Sequence, residues 1–328
     1  MSLELLKNLC KVKGASGEEN RAAQFILNEI KDYIDDYEID ALGNLIAHKK
    51  GDGKKMMLAG HMDQIGMMVT HISKEGFIYF VNVGGLNPYI LLGCRVVFDD
   101  GTVGVISKEG KAQLATLKIS DLFIDIGART QEEVLKHIQI GDCAVYYEEP
   151  ISDEFKVTSP YLDDRIGCYF MIEALKRLKD CKYDLYLVFT TQEEVGLRGA
   201  ITSSYSVNPD FGIAFDVTMD YSTPESDKMP QKAGDGACIK IRDGSLICSP
   251  IMVKHMKKCA EEGNIKHQLE VLIAGGTDAG AMQRSRNGVV AGGISIATRY
   301  IHSMNETVIL SDIEDCIELT VKVLETQI

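Results

Sequence analysis

The sequence lacks tryptophan, and aromatic residues make up only 7% of its 328 positions. Surfaces on which a sugar ring could stack are therefore scarce. No apolar run reaches the roughly 18 residues that a membrane-spanning helix requires. The first residues, Met1 to Lys7, place an acidic residue early in an amphipathic pattern. A cleaved secretory signal has a basic start and a long apolar stretch, so we expect none here.

An excess of positive charge is also missing, because 35 lysines and arginines face 48 aspartates and glutamates. The net charge of -13 repels phosphate backbones and anionic lipids, so we expect neither a nucleic-acid partner nor a membrane partner. The nine cysteines are odd in number, and no two of them have C-x-x-C spacing. Buried free thiols in a reducing cytoplasm are therefore expected, rather than disulfides or a thiolate metal site.

The composition is that of a globular protein, with 45% hydrophobic and 25% charged residues, and one large domain or two ordinary ones would fit. Helical and strand patterns alternate in residues 1–69 and 160–328, which predicts an α/β sheet with helices on its faces. Residues 70–159 contain short alternating runs with turn signals between them, such as Asp99-Asp100-Gly101. We expect a small β-rich domain inserted at that point.

Two serine-led segments match the capping box, in which a serine and the glutamate three residues later satisfy the first free amides of a helix. Ser16 with Glu19 predicts one helix start, and Ser311 with Glu314 predicts another. Apolar residues at helical spacing follow the first box over residues 22–34. Both helices are therefore expected to begin at these serines.

The most informative segment is Gln192-Glu193-Glu194-Val195-Gly196, which follows a largely apolar run predicted to be a buried strand over residues 183–191. Open α/β sheets carry their chemistry where such strands end. Neighbouring side chains of an extended chain point in opposite directions, so one glutamate can face a metal while the other faces a substrate. A solvated pair of surface glutamates is the alternative.

Two further strands lead into isolated polar residues. His61 and Asp63 follow a strand that ends with Leu58-Ala59-Gly60, and Asp63 could hold the second ring nitrogen of His61 if the histidine bound a metal. A structural histidine is the alternative. Asp216 ends the strand that begins at Phe211, where a buried carboxylate is costly unless it is paired or metal-bound.

Asp163 and His302 complete the set of candidate ligands. Asp163 lies just before a helix, where it is either an N-cap or a carboxylate that Asp164 and Arg165 orient between two cations. His302 follows a strand and a turn. The chain thus offers five residues with oxygen or nitrogen donors: His61, Asp163, Glu194, Asp216 and His302. Such donors suit Zn, Co or Mn.

The number of donors distinguishes one metal site from two. A catalytic zinc ion typically keeps about three protein ligands, so five donors are too many for one ion. Two metal ions that share one bridging carboxylate need five, which matches the count. Glu193 is then left over as a general base.

In these motifs and their order the chain resembles a family of two-metal aminopeptidases, the M42 group of glutamyl and tetrahedral aminopeptidases. The resemblance extends over nearly the whole chain. It is carried by Gly60-His61-Met62-Asp63, Leu162-Asp163-Asp164-Arg165-Ile166-Gly167, Gln192-Glu193-Glu194-Val195-Gly196, Phe215-Asp216-Val217-Thr218, Gly275-Gly276-Thr277-Asp278-Ala279-Gly280 and Arg299-Tyr300-Ile301-His302-Ser303. Each segment is modest by itself, whereas their joint order at strand ends is specific.

The resemblance implies a division of the ligands between two divalent metal ions. One ion is expected on His61 and Asp216 and the other on Glu194 and His302, with Asp163 bridging both. Zinc is the first choice for the metal, and cobalt or manganese is the alternative.

The same resemblance gives Asp63 and Glu193 catalytic roles, in which Asp63 supports His61 and Glu193 is the general base. Many family members have a glutamate where this chain has Gln64, to which we give no catalytic role. The implied fold is a mixed-sheet, three-layer α/β/α metallopeptidase domain formed by residues 1–69 and 160–328. Residues 70–159 would form an inserted PDZ-like β-barrel for dimerisation, and family members commonly assemble twelve subunits into a hollow tetrahedron.

The glycine-rich segment from Ala274 to Gly280 lacks the spacing of a phosphate-binding loop. We expect four of its residues to line the substrate site with backbone close to the substrate: Gly275, Gly276, Thr277 and Asp278. An ordinary tight loop is the alternative. Residues 219–227 are expected to join this loop in forming the pocket for the first residue of the substrate.

The predicted function is a metal-dependent aminopeptidase that releases N-terminal amino acids from peptides through a water activated by two metal ions. A glycoside hydrolase of the endoglucanase type is one alternative, because two carboxylates can also cleave sugars. The absence of tryptophan and the adjacency of Glu193 and Glu194 oppose it. The other alternative is an assembly protein without activity, which the presence of all five ligands and the base opposes.

Overall fold

The computed structural model describes residues 2–224 and 226–328. The helices are α1 (Leu3–Lys11), α2 (Asn20–Ile30), α3 (Pro88–Leu91), α4 (Gln131–Val134), α5 (Leu162–Arg177), α6 (Arg198–Val207), α7 (Pro250–Gly263), α8 (Asp278–Gln283) and α9 (Leu310–Leu324). The strands are β1 (Asp36–Ile39), β2 (Leu45–Lys49), β3 (Lys55–His61), β4 (Gly66–Ile72), β5 (Ile78–Val83), β6 (Arg95–Val97), β7 (Val103–Lys108), β8 (Leu122–Asp125), β9 (Cys143–Tyr146), β10 (Ile151–Ser152), β11 (Lys156–Ser159), β12 (Asp184–Thr190), β13 (Phe211–Met219), β14 (Ala237–Arg242), β15 (His267–Val271), β16 (Val290–Thr298) and β17 (Glu306–Ile309). Within the described ranges, none of the helices is long and apolar enough to cross a membrane.

Eight of these strands form one mixed sheet in the order β1-β2-β12-β3-β13-β16-β14-β15. The four central strands β12, β3, β13 and β16 are parallel, while β2 is antiparallel to β12 and β14 is antiparallel to β16. The carboxyl ends of the central strands therefore meet at one edge of the sheet, which is where open α/β sheets bind their ligands.

Side chains of β3 alternate between two hydrophobic layers, as expected for a strand that is buried on both faces. Met56 and Leu58 pack in the layer that contains residues of α1, α2, α5 and α9. Met57 and Ala59 pack in the opposite layer, together with residues of α6 and α8. The predicted three-layer α/β/α architecture around a mixed sheet is thus confirmed.

Six antiparallel strands form a closed barrel in the order β4-β5-β8-β7-β6-β9, between Gly66 and Tyr146. The barrel has a hydrophobic core of its own, to which Phe80 and Ile124 contribute. Because β3 precedes the barrel and α5 and β12 follow it, the expected β-barrel insertion is confirmed. The strands β10 and β11 lie outside the barrel and join β17 in a separate small sheet. The domain boundaries at residues 70 and 159 stay a prediction.

Neither predicted capping box forms. The helix α2 begins at Asn20, and the Ser16 hydroxyl donates a hydrogen bond to Asp63, which is 47 residues away, instead of capping the helix. The helix α9 begins one residue before Ser311, whose hydroxyl donates to the neighbouring Asp312. In both cases a carboxylate that is close in space binds the serine that the sequence pattern assigned to a helix start.

The strand β13 continues to Met219, beyond the end that was predicted at Asp216. It pairs with β3 only through Ala214, whereas its pairing with β16 extends along its whole length. Asp216 therefore lies inside a strand rather than at its end, just beyond the point where the pairing of β13 with β3 stops.

Candidate active site

The polar candidates come together at the carboxyl edge of the main sheet. The strands β3 and β12 end side by side there, because His61 is paired with Thr190 in parallel register. The remaining candidates come from four neighbouring elements. Asp216 lies in the middle of β13, and Asp163 lies at the start of α5. Glu193 and Glu194 follow β12, and His302 follows β16.

The first group of side chains consists of His61, Asp163 and Asp216, which are all buried and whose ligand atoms lie within 4.8 Å of one another. Nε2 of His61 is 3.1 Å from Oδ1 of Asp163. The backbone N–H of His61 donates to Oδ2 of Asp164 at 3.2 Å, and the Arg165 guanidinium donates to the backbone just after β3 at 2.7 Å. The start of α5 therefore fixes the end of β3 beside the ligands.

The second group consists of Asp163, Glu194 and His302, whose ligand atoms also lie within 4.8 Å of one another. Nε2 of His302 is 3.2 Å from Oδ2 of Asp163 and 3.1 Å from Oε1 of Glu194. Asp163 thus belongs to both groups, and its two oxygens face different histidines: Oδ1 faces His61 and Oδ2 faces His302. A carboxylate in this position can bridge two cations.

Asp63 is fully buried behind the two glutamates. Its Oδ1 accepts a hydrogen bond from the backbone N–H of Glu193 at 2.9 Å. Its Oδ2 accepts from the N–H of Glu194 at 3.2 Å and from the Ser16 hydroxyl at 2.7 Å. Nδ1 of His61 lies 3.4 Å from Oδ1 and 3.2 Å from the carbonyl oxygen of Asp63. Asp63 therefore binds the backbone of Glu193 and Glu194 in addition to supporting His61, which is the role that the sequence predicts for it.

Glu193 and Glu194 turn towards different groups. Oε2 of Glu193 is 3.9 Å from Nε2 of His61, whereas Glu194 belongs to the second group. Their divergence does not come from strand alternation, because β12 ends before them and Gln192 adopts a left-handed conformation with φ 54°. The backbone hydrogen bonds of both glutamates to Asp63 hold the loop in this shape.

Glu306, the first residue of β17, is a buried carboxylate that sequence reasoning missed. Its Oε1 accepts a hydrogen bond from the backbone N–H of His302 at 2.8 Å, and its Oε2 accepts from that of Asp163 at 3.0 Å. One side chain thus joins the two segments that supply ligands to the second group. An acidic residue at the head of an apolar strand is the signal that could have indicated it.

The site contains an excess of buried negative charge. Burial and the neighbouring carboxylates raise the pKa of Asp216 well above its ordinary value, and they raise the pKa of Glu193 as well. Burial would lower the pKa of His302, but contacts with Asp163 and Glu194 raise it to about 12. Divalent cations would neutralise this charge, and imidazole nitrogens with carboxylate oxygens are suitable ligands for them. The residues of both groups therefore fit a pair of divalent cations.

A cavity of about 700 Å³ opens onto both groups, and Gly275, Gly276 and Thr277 line it as expected for the glycine-rich loop. Asp278, the fourth residue expected there, is buried behind the loop, where its Oδ2 accepts a hydrogen bond from Thr190 at 2.5 Å. Burial raises the pKa of Asp278 to about 6. Asp278 thus supports the site from behind, whereas its three predecessors face the cavity.

Most of the remaining cavity wall is apolar. The predicted segment 219–227 contributes Met219, Tyr221 and Asp227. Further apolar side chains come from the ends of strands and from loops around the site: Leu197, Val217, Leu272, Ile273 and Ile301. The cavity can therefore enclose an amino-acid side chain next to the polar groups.

Gln64 lies outside this cavity and binds the N-terminal segment. Its side-chain oxygen accepts a hydrogen bond from the N–H of Gly14 at 2.9 Å, and its amide donates to the carbonyls of Val12 at 3.2 Å and Cys10 at 3.4 Å. A carboxylate could not donate these two bonds, so the glutamine matches its surroundings.

A mixed α/β/α sheet that gathers histidines and carboxylates into two adjoining groups at its carboxyl edge defines a metal-dependent hydrolase. The profile of the family described as M42 glutamyl aminopeptidase matches residues 43–319. The chain belongs to this family, and it is an aminopeptidase, as its motifs predicted.

Relatives agree with this assignment over almost their full lengths. A protein of Acetivibrio thermocellus is 45% identical over 322 residues, which cover 98% of both chains. The lysyl aminopeptidase of Pyrococcus furiosus is 34% identical over 342 residues, which cover 98% of this chain and 96% of the relative. An aminopeptidase structure from Desulfurococcus kamchatkensis matches with a TM-score of 0.95 and 38% identity, over 99% of this chain and 94% of that one.

Two other solved structures bear on assembly and on the alternative activity. The TET1 peptidase of Pyrococcus horikoshii, which can assemble into a tetrahedron or a large octahedral shell, matches with a TM-score of 0.89 and 34% identity over 99% of both chains. An endoglucanase of Thermotoga maritima matches with a TM-score of 0.83 and 30% identity, over 98% of this chain and 96% of that one. The fold is thus shared by a protein named as a peptidase and by a protein named as an endoglucanase.

Proposed function

We propose that the protein removes the first amino acid from peptides with a free N-terminus and holds two divalent cations in the groups that share Asp163. The observation that carries this proposal is that the two oxygens of Asp163 face different histidines. One cation would be held by Asp163 with His61 and Asp216, and the other by Asp163 with Glu194 and His302. Zinc is the first choice, with cobalt or manganese as alternatives.

Bound there, the cations supply Lewis acidity, which polarises the scissile carbonyl and makes water a nucleophile near neutral pH. The proton transfers fall to Glu193, which lines the cavity next to the first group. Glu193 takes a proton from the attacking water and delivers it to the leaving amide nitrogen.

Asp63 positions Glu193 rather than touching the substrate, because it accepts the backbone hydrogen bond of Glu193 from behind the cavity wall. The first side chain of the substrate would lie between residues 219–227 and the loop from Gly275 to Thr277. This loop is fixed from below, because the N–H of Thr277 donates to Ser245 at 3.3 Å. A fixed loop keeps the backbone in place beside the substrate.

The proposal is tested by removing bound metal, adding back Zn²⁺, Co²⁺ or Mn²⁺ in turn, and assaying a panel of aminoacyl chromogenic substrates. Activity should disappear with the metal and return on reloading. It should require a free α-amine, so N-acetylated versions of the same substrates should remain uncut. Cleavage that persists in excess chelator, or equal cleavage of the acetylated substrates, would contradict the proposal.

Glycoside hydrolysis is the second candidate, because an endoglucanase shares the fold. A glycosidase needs two carboxyl groups that flank the scissile bond. Here Glu193 and Glu194 are neighbours in the chain, and each is engaged with a histidine of a different group. Release of reducing sugar from a soluble glucan in the presence of chelator would favour the glycosidase over the aminopeptidase.

A homo-oligomer built from dimers, with a dodecamer as the full assembly, is the proposed state of the protein. Support comes from the TET1 peptidase, which assembles into closed shells. The barrel would provide the dimer contact. Light scattering coupled to size exclusion should give the mass of a dimer or a dodecamer of the 36.2 kDa chain, and a monomer at every concentration would contradict the proposal.

All nine cysteines are free, which supports a reducing cytoplasm as the compartment.

A further inference from the structure

Two consecutive glycines of the insertion lie against the second ligand group. Gly84 and Gly85 directly follow β5, so they belong to the barrel segment rather than to the main sheet. Gly85 lines the active-site cavity together with His302. A glycine allows backbone to approach other groups more closely than any residue with a side chain could.

The contact at Gly85 is with the imidazole ring of His302. A Cβ atom placed on Gly85 would lie 2.8 Å from Nδ1 and 3.0 Å from Cε1 of that ring, which is closer than non-bonded atoms normally approach. At Nε2 the same ring lies 3.1 Å from Oε1 of Glu194 and 3.2 Å from Oδ2 of Asp163. The ring therefore meets bare backbone along its Nδ1–Cε1 edge and the two carboxylates at Nε2.

Gly84 makes a similar contact with Glu194, which like His302 belongs only to the second group. A Cβ atom on Gly84 would lie 3.1 Å from both Cβ and Oε2 of Glu194 and 2.6 Å from Cγ2 of Ile65. Gly84 also has a positive φ of 75°, so any substitution there would add backbone strain. Gly85 has no such conformation, which makes it the position where steric contact alone can be tested.

The backbone of His302 is fixed independently of the ring. His302 has a φ of 63°, and its N–H donates to Oε1 of Glu306 at 2.8 Å. With the backbone of His302 held, the ring makes room for an added methyl group on Gly85 by rotating about its side-chain bonds. Such a rotation would move Nε2 away from Asp163 and Glu194.

We propose that Gly85 is a positioning residue, through which the β-barrel sets the imidazole of His302 for the second cation. The proposal rests on the ligand groups assigned above and concerns the group of Asp163, Glu194 and His302. The barrel insertion is on this view part of the active site as well as a separate structural unit.

The test compares Gly85→Ala with Gly110→Ala. Gly110 lies in the same barrel segment, between β7 and β8, and among the described residues other than its two chain neighbours no atom comes within 4 Å of a Cβ placed on it. Calorimetric titration of metal-free protein with Zn²⁺ measures the affinity at each group, and titrations of His61→Ala and His302→Gly assign the two affinities. Gly85→Ala should weaken binding at the second group by about 10–100-fold, the range for loss of support around a metal ligand. Binding at the first group, and both affinities of Gly110→Ala, should stay at the wild-type values.

A double variant shows whether the effect passes through the ring. His302→Gly removes the ring and tolerates the left-handed backbone, so adding Gly85→Ala to it should change neither folding nor Zn²⁺ affinity further. Should Gly85→Ala alone fail to fold, folding of the double variant would still support the clash with the ring.

Three results would overturn the role of Gly85: wild-type affinities in Gly85→Ala, an equal loss at both groups, or a further loss of folding or affinity in the double variant. If His302→Gly itself kept both affinities, the ligand groups would be wrong instead. The two failures are thus distinguishable.

Discussion

Replacing Asp63 with asparagine changes the hydrogen bonding of the candidate site while leaving its shape nearly unchanged. Oδ1 of Asp63 accepts from the N–H of Glu193 at 2.9 Å, and Oδ2 accepts from the N–H of Glu194 at 3.2 Å and from the Ser16 hydroxyl at 2.7 Å. Asparagine has a single acceptor oxygen, so in either orientation its NH₂ group faces at least one of these donors.

At least one hydrogen bond to the backbone of the glutamates is then lost, and a buried donor without a partner costs about 1–3 kcal/mol. A free-energy difference of about 1.4 kcal/mol corresponds to a tenfold change in a rate or equilibrium constant. If the lost hydrogen bond weakens the positioning of Glu193 or Glu194 by a comparable free energy, kcat/KM should fall by about 10–100-fold. The loss should fall on kcat more than on KM, since Asp63 lies behind the cavity wall and does not contact the substrate.

Asp312→Asn is the matched control. Asp312 is also fully buried and accepts two backbone hydrogen bonds, from Gly234 at 2.6 Å and Gly236 at 3.1 Å, but it does not contribute to the active site. Thermal unfolding should show a similar loss of stability in both variants, whereas kcat/KM on an aminoacyl chromogenic substrate should fall only in Asp63→Asn. Equal losses of kcat/KM in the two variants, or wild-type kinetics in Asp63→Asn, would refute the positioning role.

Three further predictions concern the same site. Glu193→Gln should keep its metal content while kcat falls by about 10²–10⁴-fold, and turnover near the wild-type value would exclude Glu193 as the general base. In the metal-free protein, burial lowers the pKa of His302 but contacts with Asp163 and Glu194 raise it to about 12, whereas an unfolded histidine loses its proton at about pH 6.5. The thermal midpoint of metal-free protein should therefore fall as the pH rises above about 6.5, and saturating Zn²⁺ should reduce this slope; a midpoint that rises with pH would contradict the reasoning. Glu306→Ala leaves the N–H groups of Asp163 and His302 without an acceptor, at about 1–3 kcal/mol each, so urea unfolding should show a clear loss of stability together with weaker Zn²⁺ binding.

The ends of parallel strands are the part of the site that sequence reasoning could predict. Apolar runs locate β3 and β12, and parallel strands in one sheet end at the same edge. The sequence alone therefore predicts that His61 and the Glu193–Glu194 pair lie at the same edge of the sheet. Asp216 was placed at a strand end for the same reason. It lies within β13 instead, because the pairing of β13 with β16 continues after its pairing with β3 has stopped.

The supporting residues could not be predicted, because their partners are distant in sequence. Ser16 matched a capping box locally, yet Asp63 binds its hydroxyl. Glu306 joins two ligand segments that only the fold brings together. The role of Gly85 depends on where the barrel is packed against the main sheet, about which no local pattern gives information. Local propensity thus indicates the ligands, and the tertiary structure determines what holds them.

The metal content of Asp163→Ala tests most directly the central claim that one carboxylate serves both groups. Wild-type protein, loaded with excess Zn²⁺, dialysed against metal-free buffer and analysed by mass spectrometry, should contain two ions per subunit, and Asp216→Ala should lose one of them. Asp163→Ala should lose both. An Asp163→Ala protein that folds and still holds one tightly bound ion per subunit would contradict the claim.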